Sequence, residues 1–391
     1  MFNLMRIRPV LHAFVAVAIL LTPALALAQA TSTISSESPS LYRGVRPLGM
    51  GNAFLAMPGT DENAPYYNPA SANDFEKKLH MQILSPSFYI SSSVISLTKD
   101  MTDLAKDINA KASTDNGGKI DVFRTFVDKH VGEFQSLGVA LPIFQVRHKW
   151  FHLSTLADSR NTFSFRNRAF NTNVELLSRS DAGALLGTSH SFLDDQLQVG
   201  LATKVIYRLS IDRIITIDDV INNPKFGDII PLNRSIGVGF DLGLKGKIPT
   251  MGTKILEYIN PVAGLTWQDV GNTRFGGAVP NTDQSISVGF ALQHDYSGWM
   301  VSLANDMREL NQTEQDIMKK WNIGAEVTTP KLWRFLRVSA RVGGHQGYLA
   351  AGGTLDFRFL KLEFATFAEE VGKFTSQRGD RRLAANITFG F

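Results

Sequence analysis

The segment Arg382–Phe391, RLAANITFGF, decides how this chain is read. Leu383, Ala385, Ile387, Phe389 and Phe391 fall on one side of an extended backbone, and Arg382, Ala384, Asn386, Thr388 and Gly390 on the other. One face is apolar throughout. The same period of two runs upstream: Ile236, Val238, Phe240, Leu242 and Leu244 oppose Gly237, Gly239, Asp241, Gly243 and Lys245, and Val199, Leu201, Val205, Tyr207 and Leu209 oppose Gln198, Gly200, Ala202, Lys204 and Arg208. A soluble sandwich also alternates, but with shorter strands; apolar faces about ten residues long on strand after strand are what an outer-membrane barrel requires. The expected fold is all-β, a transmembrane antiparallel β-barrel of about 14 strands. Its polar faces, with Lys204, Arg208, Asp241, Lys245, Glu326, Arg337, Arg341, Asp356, Arg358 and Arg382, line the interior.

Strands are expected near 79–91, 136–146, 150–166, 174–191, 196–211, 234–245, 258–267, 284–294, 298–306, 320–328, 335–343, 348–359, 361–368 and 382–391. Counted back from the C terminus, the inner turns near 360, 294–298, 193–196 and 147–149 are short, as barrels of this kind have them, and only 245–258 is longer. Outer connections are long. In 94–133, helical spacing at Leu97, Met101, Leu104 and Ile108, then at Ile120, Phe123, Val127 and Val131, predicts two amphipathic helices with Gly117 and Gly118 between them. Further outer excursions fall at 216–233, 269–283, 305–319 and 369–380.

The other end of the chain is of a different kind. Arg6 and Arg8 precede an apolar run from Val10 to Leu27, and Ala26, Ala28 and Ala30 supply small-residue cleavage sites, so 1–30 reads as a signal peptide and the protein as exported. The formal charge of +4 includes those two arginines, and the near balance that remains gives no reason to expect nucleic acid. With no Cys, disulfides, thiolate metal sites and a cysteine nucleophile are excluded. Between leader and strands lies Arg43–Ala70, RGVRPLGMGNAFLAMPGTDENAPYYNPA, which follows neither period. Its glycines open conformations closed to other residues and its prolines fix φ and remove amide donors, which marks ordered coil held in a crowded place.

Leu48, Gly49, Met50, Gly51, Asn52, Ala53 and Phe54, followed by Tyr66, Tyr67, Asn68, Pro69 and Ala70, resemble the N-terminal hatch of the FadL superfamily of outer-membrane transport proteins (OMPP1/FadL/TodX). The run from Gly264 to Gly271, then Glu369, Glu370, Gly372 and Asp380 to Arg382, is similar to the PorV-like branch. The resemblance implies a hatch within 31–78, with Gly49, Gly51, Asn68, Pro69 and Ala70 in it, plugging a barrel formed by 79–391. It implies passive uptake of hydrophobic molecules such as long-chain fatty acids; the PorV-like alternative is a non-transporting barrel that partners protein secretion or surface attachment. Pro58, Gly59, Thr60, Asp61 and Glu62 depart from the acidic pair of many relatives, and no ligand residue is carried over.

No G-x-S-x-G elbow, H-E-x-x-H pair or calcium loop is present, so no enzyme, cofactor or metal is expected; His148 and His152, four apart, fall in strand and turn rather than on a helix. Leu97, Met101, Leu104, Ile108, Phe123 and Val127 are candidates for capturing hydrophobic cargo, unless their faces bury each other. Arg43 and Arg46 are expected to join a lumen polar network with Asp241, Glu326, Arg341 and Asp356, because unpaired charge in a narrow lumen is costly. Ile387, Phe389 and Phe391 resemble the C-terminal signal read by the barrel-assembly machinery. Trp150, Trp267, Trp299, Trp321 and Trp333 read as interface anchors. Expected partners are outer-membrane lipid and lipopolysaccharide, that machinery, a hydrophobic small-molecule cargo and, on the alternative reading, a secreted protein.

Overall fold

The computed structural model describes residues 41–58, 61–74, 79–111, 115–148, 150–168, 171–216, 232–249, 252–332, 335–357, 359–371 and 379–389. The expected signal peptide, the stretch 31–40, most of the 216–233 and 369–380 loops, and Gly59, Trp333, Arg358 and Phe391 lie outside the described residues.

The described chain begins inside the molecule, with helix α1 (Val45–Gly49), helix α2 (Ala64–Tyr67) and a 3-10 turn Pro69–Asp74. Two strand segments follow, β1 (His80–Ile83) and β2 (Ser87–Ser91), then the outer helices α3 (Ser92–Ala110) and α4 (Asn116–His130). The wall continues through β3 (Phe134–His148), β4 (Phe151–Arg168), β5 (Asn171–Phe192), β6 (Leu197–Thr216) and β7 (Asn233–Lys247). A short helix α5 (Lys254–Ile259) leads to β8 (Val262–Gln268), β9 (Ser285–Tyr296) and β10 (Trp299–Met307). After helix α6 (Ile317–Lys320) come β11 (Trp321–Thr328), β12 (Arg337–His345), β13 (Tyr348–Asp356), β14 (Leu360–Glu370) and β15 (Gly379–Phe389).

From β3 to β15 every strand pairs antiparallel with its successor, β15 pairs with β2, and β2 with β3, so the sheet closes on itself. β1 and β2 make one stave. Ile83 faces Phe144 and Ser87 faces Ala140 without change of register, and the N–H groups of Leu84 and Ser85 donate to Ile143 and Pro142 across the interruption. The break falls where Pro86 has no amide to donate and Leu84 takes a positive φ of 59°. The described residues thus form a closed barrel of 14 strands. Closure leaves no unpaired sheet edge, which is what hydrocarbon demands of a backbone.

Burial is inverted relative to a soluble protein. On β7, Ile236, Val238, Phe240, Leu242 and Leu244 are exposed while Asp241 and Lys245 are buried. On β6, Leu201, Val205 and Tyr207 face outward and Lys204 and Arg208 inward. Of the expected lumen charges Arg337 is exposed, opposite Asp356 at the ends of β12 and β13. Trp150 and Trp299 mark the end of the wall at which the last strand finishes, and Trp267 and Trp321 the outer end, as interfacial anchors should. The wall is uneven: β4, β5 and β6 have 18, 22 and 20 residues, against 8 or 9 in β11, β12 and β13. No described helix is long and apolar enough to cross a membrane, and the crossing is made by strands.

Two expectations on local structure are corrected. Tyr258 and Ile259 belong to α5, not to a strand; Asn260 ends the helix at a φ of 43° and Pro261 cannot extend it, so β8 starts at Val262. The outer helices divide at 111–115 and not at the glycines. Gly117 and Gly118 form the first turn of α4, where the Asp115 carboxylate accepts the Gly118 N–H at 2.9 Å as an N-cap.

What positions the inner segment is a belt of small residues on the lumen face. Gly200 pairs with Gly243, Gly264 with Gly289, Ala291 with Ala304, Ala304 with Gly324, Gly324 with Gly343, Gly352 with Ala365, and Ala365 with Ala384. At Gly324 a Cβ would overlap the Met50 carbonyl, and at Gly243 the Asn68 side chain. Gly324→Val is therefore expected to cost on the order of 1–3 kcal/mol as an overpacked contact and to loosen the inner segment while the barrel persists. Proteolysis at Arg43 and Arg46 on a sample whose unheated electrophoretic band stays compact checks this. Gly117→Ala, where a Cβ meets open space, is the neutral control.

Candidate functional site in the occupied lumen

Residues 41–58 and 61–74 sweep round the inside of the wall. Tyr42 packs with Ala140 and Leu156, and Tyr89 donates its hydroxyl to the Arg43 carbonyl at 2.8 Å. Val45 and Leu48 of α1 lie against Ala350, Ala365, Phe367 and Ala384. Gly51 and Asn52, at φ 64° and 62°, then turn the backbone sharply, and no Cβ fits at Gly51 between the carbonyls of Ile323 and Gly344. Met50, Phe54, Met57 and Tyr67 make the apolar middle with Val262, Ala291 and Ala304. The 3-10 turn closes on β5, β6 and β7, with the Asn68 amide donating to Leu55 and Leu244 carbonyls at 3.3 and 3.0 Å and Pro69 and Ala70 pressed on Gly200.

Charge fixes this path. The Arg46 guanidinium spans two buried carboxylates: Nη1 reaches Asp61 Oδ2 at 2.8 Å, while Nη2 and Nε reach Glu326 at 2.5 and 3.0 Å. Arg341 approaches Glu326 from the wall at 3.3 Å. Asp306 Oδ2 accepts the backbone N–H groups of Phe54 and Leu55 at 2.6 and 2.9 Å, and Arg147 Nη1 donates to the Asp61 carbonyl at 2.6 Å. Lys245 bonds Asp74 and donates to the Met57 carbonyl at 2.6 Å, and Lys361 pairs with Glu62. Burial alone would raise the Asp61 carboxyl; Arg46 and then Lys361 outweigh it and hold it well below the usual carboxylate range. The Tyr67 hydroxyl, pushed up to about 12 mainly by burial, stays a donor to Asn52 Oδ1 at 2.5 Å.

Of the expected network, Arg46, Glu326 and Arg341 are brought together. Arg43 is not with them. It pairs with Glu369, which also meets His345 Nε2 at 3.1 Å, because α1 carries the preceding chain towards the outer end of β14. Asp241 lies across the lumen with Lys204 at 2.8 Å, and Asp269 meets the same amine at 2.9 Å. Asp356 sits half-buried at the end of β13. Glu369, His345, Asp306 and Lys361 carry docking roles that strand alternation alone could not assign; the available signal was the row of inward glycines.

The outer-helix stripe buries much of itself. Leu97 and Val127 are enclosed with Phe126 and Phe165, Leu104 and Phe123 pack at their edge, Ile108 is half-buried, and Met101 is exposed with Ile95 and Ile120. Ile387 and Phe389 face outward on β15. His152 is buried in the lumen and His148 stacks on Phe151 near the turn. Between the tall β4–β6 wall and the loops after β8 and β10 the lumen opens outward into a polar cavity of about 270 Å³.

No family model matches this sequence, and no curated protein does. Among solved structures, the TodX monoaromatic hydrocarbon channel deltaS2S3 mutant is similar at a TM-score of 0.50 and 12% identity, over 89% of this chain and 98% of that one. The deltaS2 mutant of the same channel gives the same values. The CymD monoaromatic hydrocarbon channel has a TM-score of 0.46 and 10% identity over 92% of this chain and 98% of that one. What the TodX likeness establishes at this identity is the fold alone, a closed antiparallel barrel.

Arg46→Gln would leave Asp61 and Glu326 buried without their shared counter-charge, which costs about 3–5 kcal/mol where a buried pair is broken. Protection of the inner segment from protease is expected to fall accordingly. Acid tests the same contact. With the folded Asp61 value depressed, its stabilisation is present above the ordinary carboxylate pKa of roughly 3.9 and is lost as pH falls through the folded value. Docking should therefore hold from neutrality to about pH 4 and fail only below it, read by proteolysis after acid pulses.

Proposed function

We propose that this protein is an outer-membrane channel for passive inward passage of small hydrophobic molecules, with residues 41–74 as its hatch. The observation that carries the reading is how that segment fills the lumen. Its contacts with the wall are apolar packing, ion pairs and side-chain hydrogen bonds, so it can shift without breaking any rung of the closed ladder. Exposed Ile95, Met101 and Ile120 on the outer helices give cargo a first apolar surface, in place of the enclosed Leu97 and Val127. The bend at Leu84 to Pro86, beside the irregularity at Pro142 in β3, offers a lateral way into the bilayer.

Export by the N-terminal leader, assembly through the C-terminal strand, and a belt in contact with lipid and lipopolysaccharide complete the proposal. Cargo classes to try are the monoaromatic hydrocarbons for which TodX is named and long-chain fatty acids. Proteoliposomes containing the protein are expected to take up labelled toluene or oleate faster than empty ones, and equal rates for both cargoes would sink the channel. Deleting Gly49–Asp61 should leave a folded barrel leakier to small solutes; an unfolded product would make the segment core structure rather than a hatch. A second reading, a barrel that presents its surface to a secreted protein, draws on the tall β4–β6 wall, and recovery of no partner from intact cells by crosslinking would count against it.

A further inference from the structure

Two polar spaces lie one above the other inside β4, β5 and β6, and a single apolar rung divides them. On β6 the inward residues run Lys204, Ile206, Arg208. Arg208 lines the outer cavity of about 270 Å³, whereas Lys204 lines a smaller space of about 10 Å³ with Asp241, Gln268 and Tyr66. That smaller volume is about what one water needs, and its walls offer the polar partners a water requires. Ile206 stands between the two, 2% exposed. On β4 the order repeats, with Ser154 below, Leu156 in the middle and Asp158 above. Leu156 and Ile206 are at one level, because both pair with Gly183 of β5, which puts no side chain between them.

The rung is completed from inside the lumen. Tyr42 packs on Leu156 and Ala140, and Ile206 packs with Phe275 and Val279 of the loop after β8, with Leu41 at their edge. Leu156 is the one apolar side chain in the inward row of β4 from His152 to Ser164, and Ile206 the one in the row of β6 from Lys204 to Ser210. Below the rung, His152 is fully buried and neither of its ring nitrogens meets a partner among the described residues. The buried Ser189 hydroxyl, nearer the inner end of β5, meets none either. Buried polar groups in such a position are satisfied by water, so hydratable groups continue from the lower space towards the inner end of the wall.

We infer that Leu156, Ile206 and Tyr42 form a hydrophobic seal across an otherwise hydratable path along β4, β5 and β6, shutting it to small inorganic ions while the inner segment stays docked. An apolar constriction stops ions by excluding water. An ion entering it would give up its hydration and receive nothing in exchange. Asp158 and Arg208 on one side and Ser154 and Lys204 on the other hold water up to the rung but not through it. The path differs from passage of hydrophobic cargo in both respects that matter: its solute is charged, and opening it requires no displacement of the inner segment.

Conductance of the full-length protein in planar bilayers bathed in potassium chloride tests the seal. The wild-type barrel is expected to stay at the baseline. Leu156→Ser and Ile206→Thr should each raise the current about tenfold or more, and Leu156→Met should keep it shut. Protease protection at Arg43 and Arg46 and the compact unheated band should be unchanged in all three. His152→Leu added to Leu156→Ser should lower the current again, which a leak elsewhere in the wall would not do. Folded serine and threonine variants that conduct no more than wild type overturn the seal. A rise in current accompanied by loss of protease protection overturns it too, since ions would then pass a displaced inner segment. So does steady current through a wild-type barrel whose inner segment is protected, and this arm stands even if neither variant folds. None of these readouts depends on uptake of toluene or oleate.

Discussion

Backbone lying directly on backbone is the constraint from which the rest of the lumen follows. A closed barrel satisfies its own hydrogen bonds, so its shape does not depend on what is inside it. Its interior does. The chain around Met50 approaches Gly324 and Gly343 so closely that no side chain can stand between them, and the chain at Pro69 and Ala70 does the same at Gly200. These contacts bring the inner segment within hydrogen-bond reach of the wall, and only then can Asp306 accept two consecutive N–H groups from it. Glycine, usually a weak choice within a strand, is here the condition for docking.

Charge then decides where the segment stops. Apolar packing of Val45, Leu48, Met50 and Phe54 would tolerate small rotations about the barrel axis, but the Arg46 fork between Asp61 and Glu326 would not. Removing charges from water is expensive, and a pair like this is better explained as register than as net stability. The fork joins a helix of the inner segment, the loop fifteen residues further on and a strand of the wall. Any displacement of the inner segment must break it, whereas the ladder hydrogen bonds between strands need not change.

Much of the wall was legible in the sequence because period-two alternation and membrane burial are the same physical fact seen twice. Leu383, Ala385 and Ile387 against Ala384 and Asn386 already specify which side meets lipid. The same rule failed at Tyr258 and Ile259, where a run too short to separate a period of 2 from 3.6 is ended by Asn260 in a left-handed conformation. Lumen partners were less legible. Arg43 and Glu369 are 326 positions apart, and their meeting depends on the direction in which α1 leaves the wall, which no local pattern encodes. Gly200 and Gly243 were visible as inward glycines, but their alignment with Gly264, Gly289, Gly324 and Gly343 into a belt depends on inter-strand register.

The two halves of the lumen ask different things of a solute. Where the inner segment docks, apolar side chains and close backbone contacts leave no room. Above it, guanidinia and carboxylates line an open cavity that already exists. A purely apolar molecule gains about 25 cal/mol for each Å² it hides from water, but gains nothing by displacing water from arginine. Exposed apolar surface lies instead on the outer helices, at Ile95, Met101 and Ile120. The polar upper cavity and the apolar middle are thus two different environments stacked in one lumen, and only the upper one is open without movement of the inner segment.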